Sequence, residues 1–361
     1  MGAALSTAQA ILPEMAEFYP VSPVGYHFAL TVFQYFPVVC IIPWMISWHP
    51  AGKTSIQNSI FNMPGRIGWF LMEIAGPLNL IYNLGISASP SFSELPAANQ
   101  LVAALYCIHY ANRAVISPFF SAPSMSPMHL FVVSIAVLFN WFNSACLIGW
   151  IRGHEIFIPG FVTNGAETFH SSSSSSWIAA LPFLGTALFA VGMAGNIYSE
   201  TSLFRMRRSK VEQSFAKKLD SGPPASANCG NKYNKVYVIP PTQGIFCSIL
   251  YPHYVFEWLE WTGFAIAGLA VYPLSASTKL SSAAAATTVS PPFMLAPWLI
   301  PFASVTDRFG LPLPLPAIVF LINAVANMLP HARWGRKWYV DKFGEKQVAG
   351  RGAVVPWCSW M

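Results

Sequence analysis

Gly195-Asn196-Ile197-Tyr198-Ser199-Glu200-Thr201-Ser202-Leu203-Phe204-Arg205-Met206-Arg207-Arg208 closes an apolar run that begins at Trp177 and extends to Val191. An apolar helix ending in arginines reads as a membrane span with its cytoplasmic flank, because Lys and Arg collect on that side. An Asn and a Glu one turn apart at the same edge are less expected, since a polar group in an apolar setting is costly without a partner. An amide, a carboxylate and a group of guanidiniums together suit a ligand that carries hydroxyls and phosphates. The stretch therefore marks a membrane protein that is also a candidate nucleotide-using enzyme.

Composition agrees with the first half of that reading. Of 361 residues, 54% are hydrophobic and only 9% are charged, against roughly a quarter charged in soluble domains. A soluble chain of this size would need a charged coat, so lipid must cover this one. Met1–Pro20 has no basic leader and carries Glu14 and Glu17, so the first span is expected to act as an uncleaved anchor. The six cysteines are scattered, with no CxxC or Cys/His spacing. No metal site and no disulfide framework is expected from them.

The fold class expected is all-α: a polytopic membrane protein with about seven transmembrane helices. The apolar stretches run roughly over Tyr26–Trp48, Ile67–Ile86, Leu101–Phe120, Met128–Trp150, Trp177–Ile197, Ile245–Val271 and Leu311–Leu329, near the ~20 residues that a spanning helix needs. Pro292–Ala303 is too short and Pro-rich to span and reads as re-entrant or interfacial. With seven spans, sixteen of the 20 Lys and Arg fall on one side, including the Arg205–Lys235 loop and the tail from Arg333. That side is expected to be cytosolic, together with the C-terminus. His170–Ser176, Ser209–Asn231 and Ser275–Pro292 read as loops. Residues 1–25 are expected to form an extracytosolic segment, and 26–361 a single membrane domain.

Ionisable residues inside spans carry the functional signal. Glu73 sits in the otherwise apolar Phe70–Pro77, where a carboxyl can hold its proton and donate a hydrogen bond; a helix–helix polar contact is the alternative. His109 and Arg113 share a helical face, with Tyr110 beside them. A structural Arg paired with Glu73 is one reading of that cluster. His253, Glu257 and Glu260 recur at spacings of four and three and form one polar stripe. A di-iron site would need matching Glu-x-x-His motifs on other helices. None occurs, so a stripe facing a polar ligand or another helix is the better account. GxGxxG, GxxxxGK[ST] and GxSxG are all absent.

In order along the chain, these motifs resemble the steroid 5α-reductase family of membrane-embedded, NADPH-dependent reductases. They are Glu73; His109-Tyr110-Ala111-Asn112-Arg113; Asn196-Ile197-Tyr198-Ser199-Glu200 with Arg207; Tyr237-Val238-Ile239-Pro240 with Gly244-Ile245-Phe246; Pro252-His253-Tyr254 with Glu257 and Glu260-Trp261; and Lys337-Trp338-Tyr339. The resemblance covers most of the chain from about Gly68 and is densest in the C-terminal half, about 177–361. It implies two sites. Glu73 and Tyr110 would be catalytic and hold the carbonyl oxygen of an enone. Arg113, Asn196, Glu200, Arg207, Tyr237, His253, Glu257 and Tyr339 would contact NADPH. It also implies an apolar, steroid- or sterol-like lipid substrate, no metal and no nucleic-acid partner, and the endoplasmic reticulum membrane as location. This chain departs from the family pattern in Glu200 for Asp, His253 for Asn, Val238 for Arg, Thr242-Gln243-Gly244 for a Gly pair, and Gly335 for His.

Other readings are a polyprenol or very-long-chain trans-2-enoyl-CoA reductase, a membrane S-adenosylmethionine-dependent methyltransferase, and a non-catalytic lipid-binding membrane protein. The Glu73/Tyr110 pair favours the steroid branch.

Overall fold

A computed structural model describes residues 12–46, 59–86, 90–161, 176–219, 231–233, 236–271 and 292–360. The serines through Ser175, most of Ser275–Pro292, Lys53, Cys229, Lys235 and Lys279 lie outside the described residues. The protein is a helical bundle. Its helices are α1 (Pro23–Phe33, continued by the turns Phe36–Val39 and Ile41–Met45), α2 (Gly65–Ile86), α3 (Ala97–Tyr110), α4 (Leu130–Ile151), α5 (Ser176–Leu219), α6 (Pro252–Ala267), α7 (Ile300–Arg308), α8 (Leu315–Phe343) and the single turn α9 (Glu345–Val348). One two-residue antiparallel ladder pairs Asn62 with His129 and Met63 with Met128, ahead of α2 and α4.

Among the described residues, four helical segments are long and apolar enough to cross a membrane: Pro23–Met45, Leu130–Ile151, Ala179–Ala216 and Leu315–Phe343. The expected count of seven spans is not confirmed by length and apolarity. The reason lies in the other three. α2 carries Glu73, Asn79 and Asn83, α3 carries Asn99 and His109, and α6 has only 16 residues and contains Glu257 and Glu260. These helices place polar groups inside the bundle, which lowers their apolarity.

A second correction concerns α5. It does not end at Ile197; it runs 44 residues to Leu219, about 66 Å at 1.5 Å per residue, roughly twice the hydrocarbon thickness. Arg205 through Lys218 are therefore helical rather than part of a loop. Arg207, Arg208 and Lys210 keep one orientation with respect to Asn196 and Glu200.

Local chemistry explains the boundaries. α1 starts where the Ser22 hydroxyl accepts from Gly25 N at 3.1 Å, with Pro23 at the first helical position, both favoured there. Its far end is closed from outside, because the buried Asn323 of α8 donates to Phe33 O at 2.8 Å. Gln34 donates to Met294 O at 3.0 Å and accepts from Ala296 N at 2.8 Å, which docks the start of the Pro292–Ala303 piece; its remainder is the turn Pro297–Leu299 and the first residues of α7. α3 does not stop at Tyr110. It widens into a π-helix over Ala111–Ser121, where Ala122 N reaches back five residues to Ser117 O at 2.8 Å. Pro118 lies inside this segment, and Arg66 donates to the carbonyls of Pro118 and Ala122, the latter at 2.8 Å.

The main core joins Tyr106, Leu147, Ile148, Trp261, Phe264 and Phe320 from four helices, while Phe120 and Phe183 are three-quarters exposed on the outside. An apolar exterior of this kind suits lipid. In lipid, helices are held by close packing and internal hydrogen bonds rather than by water exclusion, and both devices are present. Polar side chains link α2 to α4: Asn79 donates to Ser144 Oγ at 2.8 Å, and Asn83 to Asn79 Oδ1 at 2.9 Å.

α5 and α6 touch backbone to backbone. A Cβ on Gly192 would lie 2.4 Å from Glu260 N, and one on Gly185 2.3 Å from Ala267 N. Gly192→Val must push the pair apart, and a destabilisation of about 1–3 kcal/mol is expected. The melting temperature of the detergent-solubilised chain measures it; a variant that melts with the wild type would contradict this packing.

Candidate active site

Four helices converge on Arg113. From the first π-turn after α3 its guanidinium donates from Nη1 to Glu200 Oε1 of α5 at 2.7 Å. Nε lies 3.5 Å from Glu73 Oε1 of α2, and Nη2 lies 3.9 Å from Glu257 Oε2 of α6. Glu200 is thus the hydrogen-bonded partner, and the other two are ion pairs beyond hydrogen-bond length. Ser117, four residues on, donates to the second Glu200 oxygen at 3.2 Å. The guanidinium also sits over the Trp69 ring, 4.7 Å from its centroid, and Trp69 Nε1 donates to Arg113 O at 3.0 Å. All four side chains of the Arg–Glu cluster are largely shielded, with 11–17% of each accessible.

Helical spacing sets this convergence. Asn196 and Glu200 are one turn apart on α5, and Asn196 Nδ2 donates to both His253 O and Glu257 Oε2 at 3.1 Å. On α6, Glu260 follows Glu257 by three residues and meets His109 Nδ1 at 2.8 Å. The pairs His109–Glu260 and Arg113–Glu257 run in opposite chain directions, as expected of antiparallel neighbours. Trp261 closes one side, 4.4 Å from the His109 ring. The predicted single polar stripe on α6 is therefore split: Glu260 turns to α3, and Glu257 to Arg113 and α5. The half-buried His253 ring packs instead on Tyr251 and Tyr254.

Tyr110 is buried beside this cluster and donates to Asn140 Oδ1 of α4 at 2.8 Å. Asn140 in turn donates to Met72 O at 2.6 Å, one residue before Glu73. Glu73 and Tyr110 thus stand at one wall, tied through Asn140.

The remaining predicted cofactor residues form a second group. Asn196, Glu200 and Arg207 lie on one stripe of α5, because offsets of four and eleven residues return to nearly the same angle at 3.6 residues per turn, over about 16 Å. Val211 and Ser214 extend that stripe into an open cleft of 410 Å³, which Lys210, Lys232, Tyr237 and Lys342 also line. Arg207 itself is committed to carbonyls: Nε donates to Val236 O at 3.1 Å and Nη2 to Tyr233 O at 3.2 Å, while Nη2 also reaches Ser124 Oγ at 2.6 Å. It ties the Tyr233–Tyr237 segment to α5, and the lysines are the cations that line the cleft. Tyr237 packs on Trp338 with ring centroids 4.9 Å apart, and the neighbouring Tyr339 is buried against Tyr251. A buried Arg351, not singled out by the sequence reading, donates to Pro240 O at 2.9 Å and Phe246 O at 3.2 Å. It fixes the loop that follows Tyr237.

Chemically, the inner group brings one cation, carboxylates, an amide and a phenol close together, largely shielded from solvent. The outer group offers ammoniums and aromatic rings. Among the described residues no group of His, Cys, Asp and Glu could hold a metal ion.

The family model described as 3-oxo-5-alpha-steroid 4-dehydrogenase matches residues 227–288. An uncharacterized protein of Schizosaccharomyces pombe is 27% identical over 85% of this chain and 90% of its own. Steroid 5-alpha-reductase DET2 of Gossypium hirsutum is 25% identical over 90% of this chain and 97% of its own. 3-oxo-5-alpha-steroid 4-dehydrogenase 1 of Bos taurus is 24% identical over 65% and 76%. The chain is thus similar, at low identity, to proteins named as steroid 5-alpha-reductases and 3-oxo-5-alpha-steroid 4-dehydrogenases.

Proposed function

We propose that the chain is an NADPH-dependent oxidoreductase that saturates the C=C bond of an α,β-unsaturated carbonyl lipid, most plainly a 3-oxo-Δ4 steroid or sterol intermediate. The observation that carries this reading is the convergence of Glu73, Arg113, Asn196, Glu200 and Glu257 from four helices on one shielded cluster, with Tyr110 at its wall.

NADPH, when bound, supplies a hydride to the β-carbon. Negative charge then builds on the carbonyl oxygen, and donors preplaced against that oxygen in a water-poor site act most strongly there. Tyr110 donates through its hydroxyl after exchanging Asn140 Oδ1 for the substrate oxygen. Glu73 donates through a retained proton, which also offsets the excess of three carboxylates over one guanidinium. Asn196 and Glu257 present an amide and a carboxylate to the nicotinamide end, and Glu200, held by Arg113, faces a ribose hydroxyl. Tyr237, Tyr339 and His253 flank the outer portion, with the cleft lysines at the phosphates and Arg207, once it exchanges one of its carbonyl partners, beside them.

In this reading α2, α3 and α6 complete a seven-span bundle in the endoplasmic reticulum membrane. The basic end of α5 and the C-terminus lie on the cytosolic side, where NADPH would enter. The apolar exterior suits a substrate that arrives through lipid.

The test is incubation of microsomes containing the chain with NADPH and a 3-oxo-Δ4 steroid, followed by mass spectrometry. A gain of two hydrogens that disappears in Glu73→Gln is expected. No gain with NADPH still binding would move the substrate to an isoprenoid or enoyl-CoA. Absence of NADPH binding would defeat the reductase reading outright.

A further inference from the structure

The C-terminal tail begins at Arg351, which fixes the loop after Tyr237. Gly352 N donates to Ser248 O at 3.1 Å, Leu250 N and Tyr251 N to Ala353 O at 3.2 and 2.9 Å, and Trp357 N to Ser248 O at 3.3 Å. These bonds hold the tail against the residues that lead into α6, where Ala353 and Val354 are buried. Beyond Val354 the chain turns outward. Trp357 is 72% exposed and Trp360 71%. Trp357 also takes the left-handed backbone conformation, with φ +53°, which is rare for a bulky residue. Residues held in this way cluster at binding and switch segments.

The level of the tail in the bundle decides what meets these rings. Cys358, between the two tryptophans, packs on the small core of Leu250, Tyr251, Tyr339 and Val354, and so does Trp44. Trp44 lies at the far end of the apolar segment Pro23–Met45, where Ile41, Ile42 and Met45 are exposed. α8 passes the same point. Trp334 Nε1 donates to Pro43 O at 2.7 Å, and the Arg333 guanidinium stands 5.6 Å from the Trp44 ring centroid and 5.2 Å from that of Trp334. The exposed Lys337 adds an ammonium 5.5 Å from the Trp334 ring. Two segments of membrane-spanning length thus change, at one level, from apolar surface to a layer of tryptophans and cations. Indole rings collect at the headgroup level of a bilayer, where their apolar body and polar N–H are both satisfied. Lysine and arginine reach the same level from helix ends. The tail leaves the protein in that layer.

We propose that residues 355–360 dock on the headgroup region of the bilayer around the bundle, with Trp357 and Trp360 as aromatic anchors. The inference is independent of the reaction assigned above and needs only the membrane. Its consequence is mechanical. Arg351, at the root of the tail, also bonds to Pro240 O and Phe246 O, so the lipid surface and the loop after Tyr237 share one support.

The experiment places the full chain, labelled with fluorotryptophan, in nanodiscs of phosphatidylcholine. The chain has 13 tryptophans, and the two signals are identified by their disappearance in Trp357→Phe and Trp360→Phe. Phosphatidylcholine carrying a nitroxide just below the headgroup is expected to remove most of both signals. A nitroxide near the end of the acyl chain is expected to remove less, and so is a water-soluble gadolinium chelate. Signals lost to the chelate but to neither lipid would put the tail in water and overturn the proposal. Signals that no agent reaches would mean that protein, such as a second copy of this chain, covers the rings, and would overturn it equally. A stronger loss to the chain-end nitroxide would put the rings in hydrocarbon rather than among headgroups, again overturning it. None of these readouts uses turnover, so a chain that reduces no enone leaves the result intact.

Discussion

Tyr110→Phe is expected to lower kcat by about 10²–10³, the loss typical of removing one donor from an oxyanion site, while NADPH binding persists. The structure gives this substitution a second, separate signature. Tyr110 is the donor to the buried Asn140 Oδ1, and its loss leaves that oxygen without its partner, at a cost of about 1–3 kcal/mol. The variant should therefore melt at a lower temperature and also turn over slowly. The two effects separate on titration with NADPH, because the Asn196–Glu257 and Arg113–Glu200 pairs that would receive the cofactor do not involve Tyr110. Steady-state kinetics with a melting curve and a cofactor titration measures all three. Turnover equal to wild type would remove Tyr110 from the catalytic site.

The second large effect concerns Arg113. Arg113→Met removes the guanidinium that lies within 4 Å of Glu73, Glu200 and Glu257 and leaves three shielded carboxylates near one another. Breaking a buried ion pair from one side costs about 3–5 kcal/mol, because the remaining charge is uncompensated. The Trp69 contact over the guanidinium face is lost as well. The variant is expected to melt well below wild type or to accumulate poorly. Adding Glu200→Gln should restore part of the loss, because it removes the carboxylate that Arg113 holds most closely. If Arg113→Met alone were as stable as the wild-type chain, the cluster would not be an ion-paired centre. Should Arg113→Met and Arg113→Met/Glu200→Gln melt together, Glu200 would not be the principal partner.

The order of motifs was legible in the sequence because each relies on local chemistry. An Asn and a Glu one turn apart ahead of an arginine group, and a Glu inside Phe70–Pro77, stand out against apolar surroundings whatever the fold. The pairings were not legible. His109 and Glu260 are 151 residues apart, and each reads from the sequence only as a polar residue on an apolar helix; their 2.8 Å contact requires α3 and α6 to lie antiparallel. Asn140, which orients Tyr110, carries no signal beyond being an amide in a span. The end of α5 was misplaced because Arg205 through Lys218 are as compatible with a cytosolic loop as with a helix. What continues the helix includes Arg207 and Lys210 bonding to carbonyls of the Tyr233–Tyr237 segment.

By itself, then, the sequence determined that this chain belongs in lipid, that its charges are reserved for a few helical turns, and which side chains could do chemistry there. Apolarity and helical periodicity are properties of neighbouring residues, and they survive any arrangement of the helices. The tertiary structure decided which charges meet. Arg113 faces three carboxylates only because the π-turn after Tyr110 sets the chain against α5, and because Gly192 and Gly185 let α5 and α6 touch backbone to backbone. A buried ion pair depends on a few ångströms between helices far apart in sequence, and only the packed bundle sets that distance.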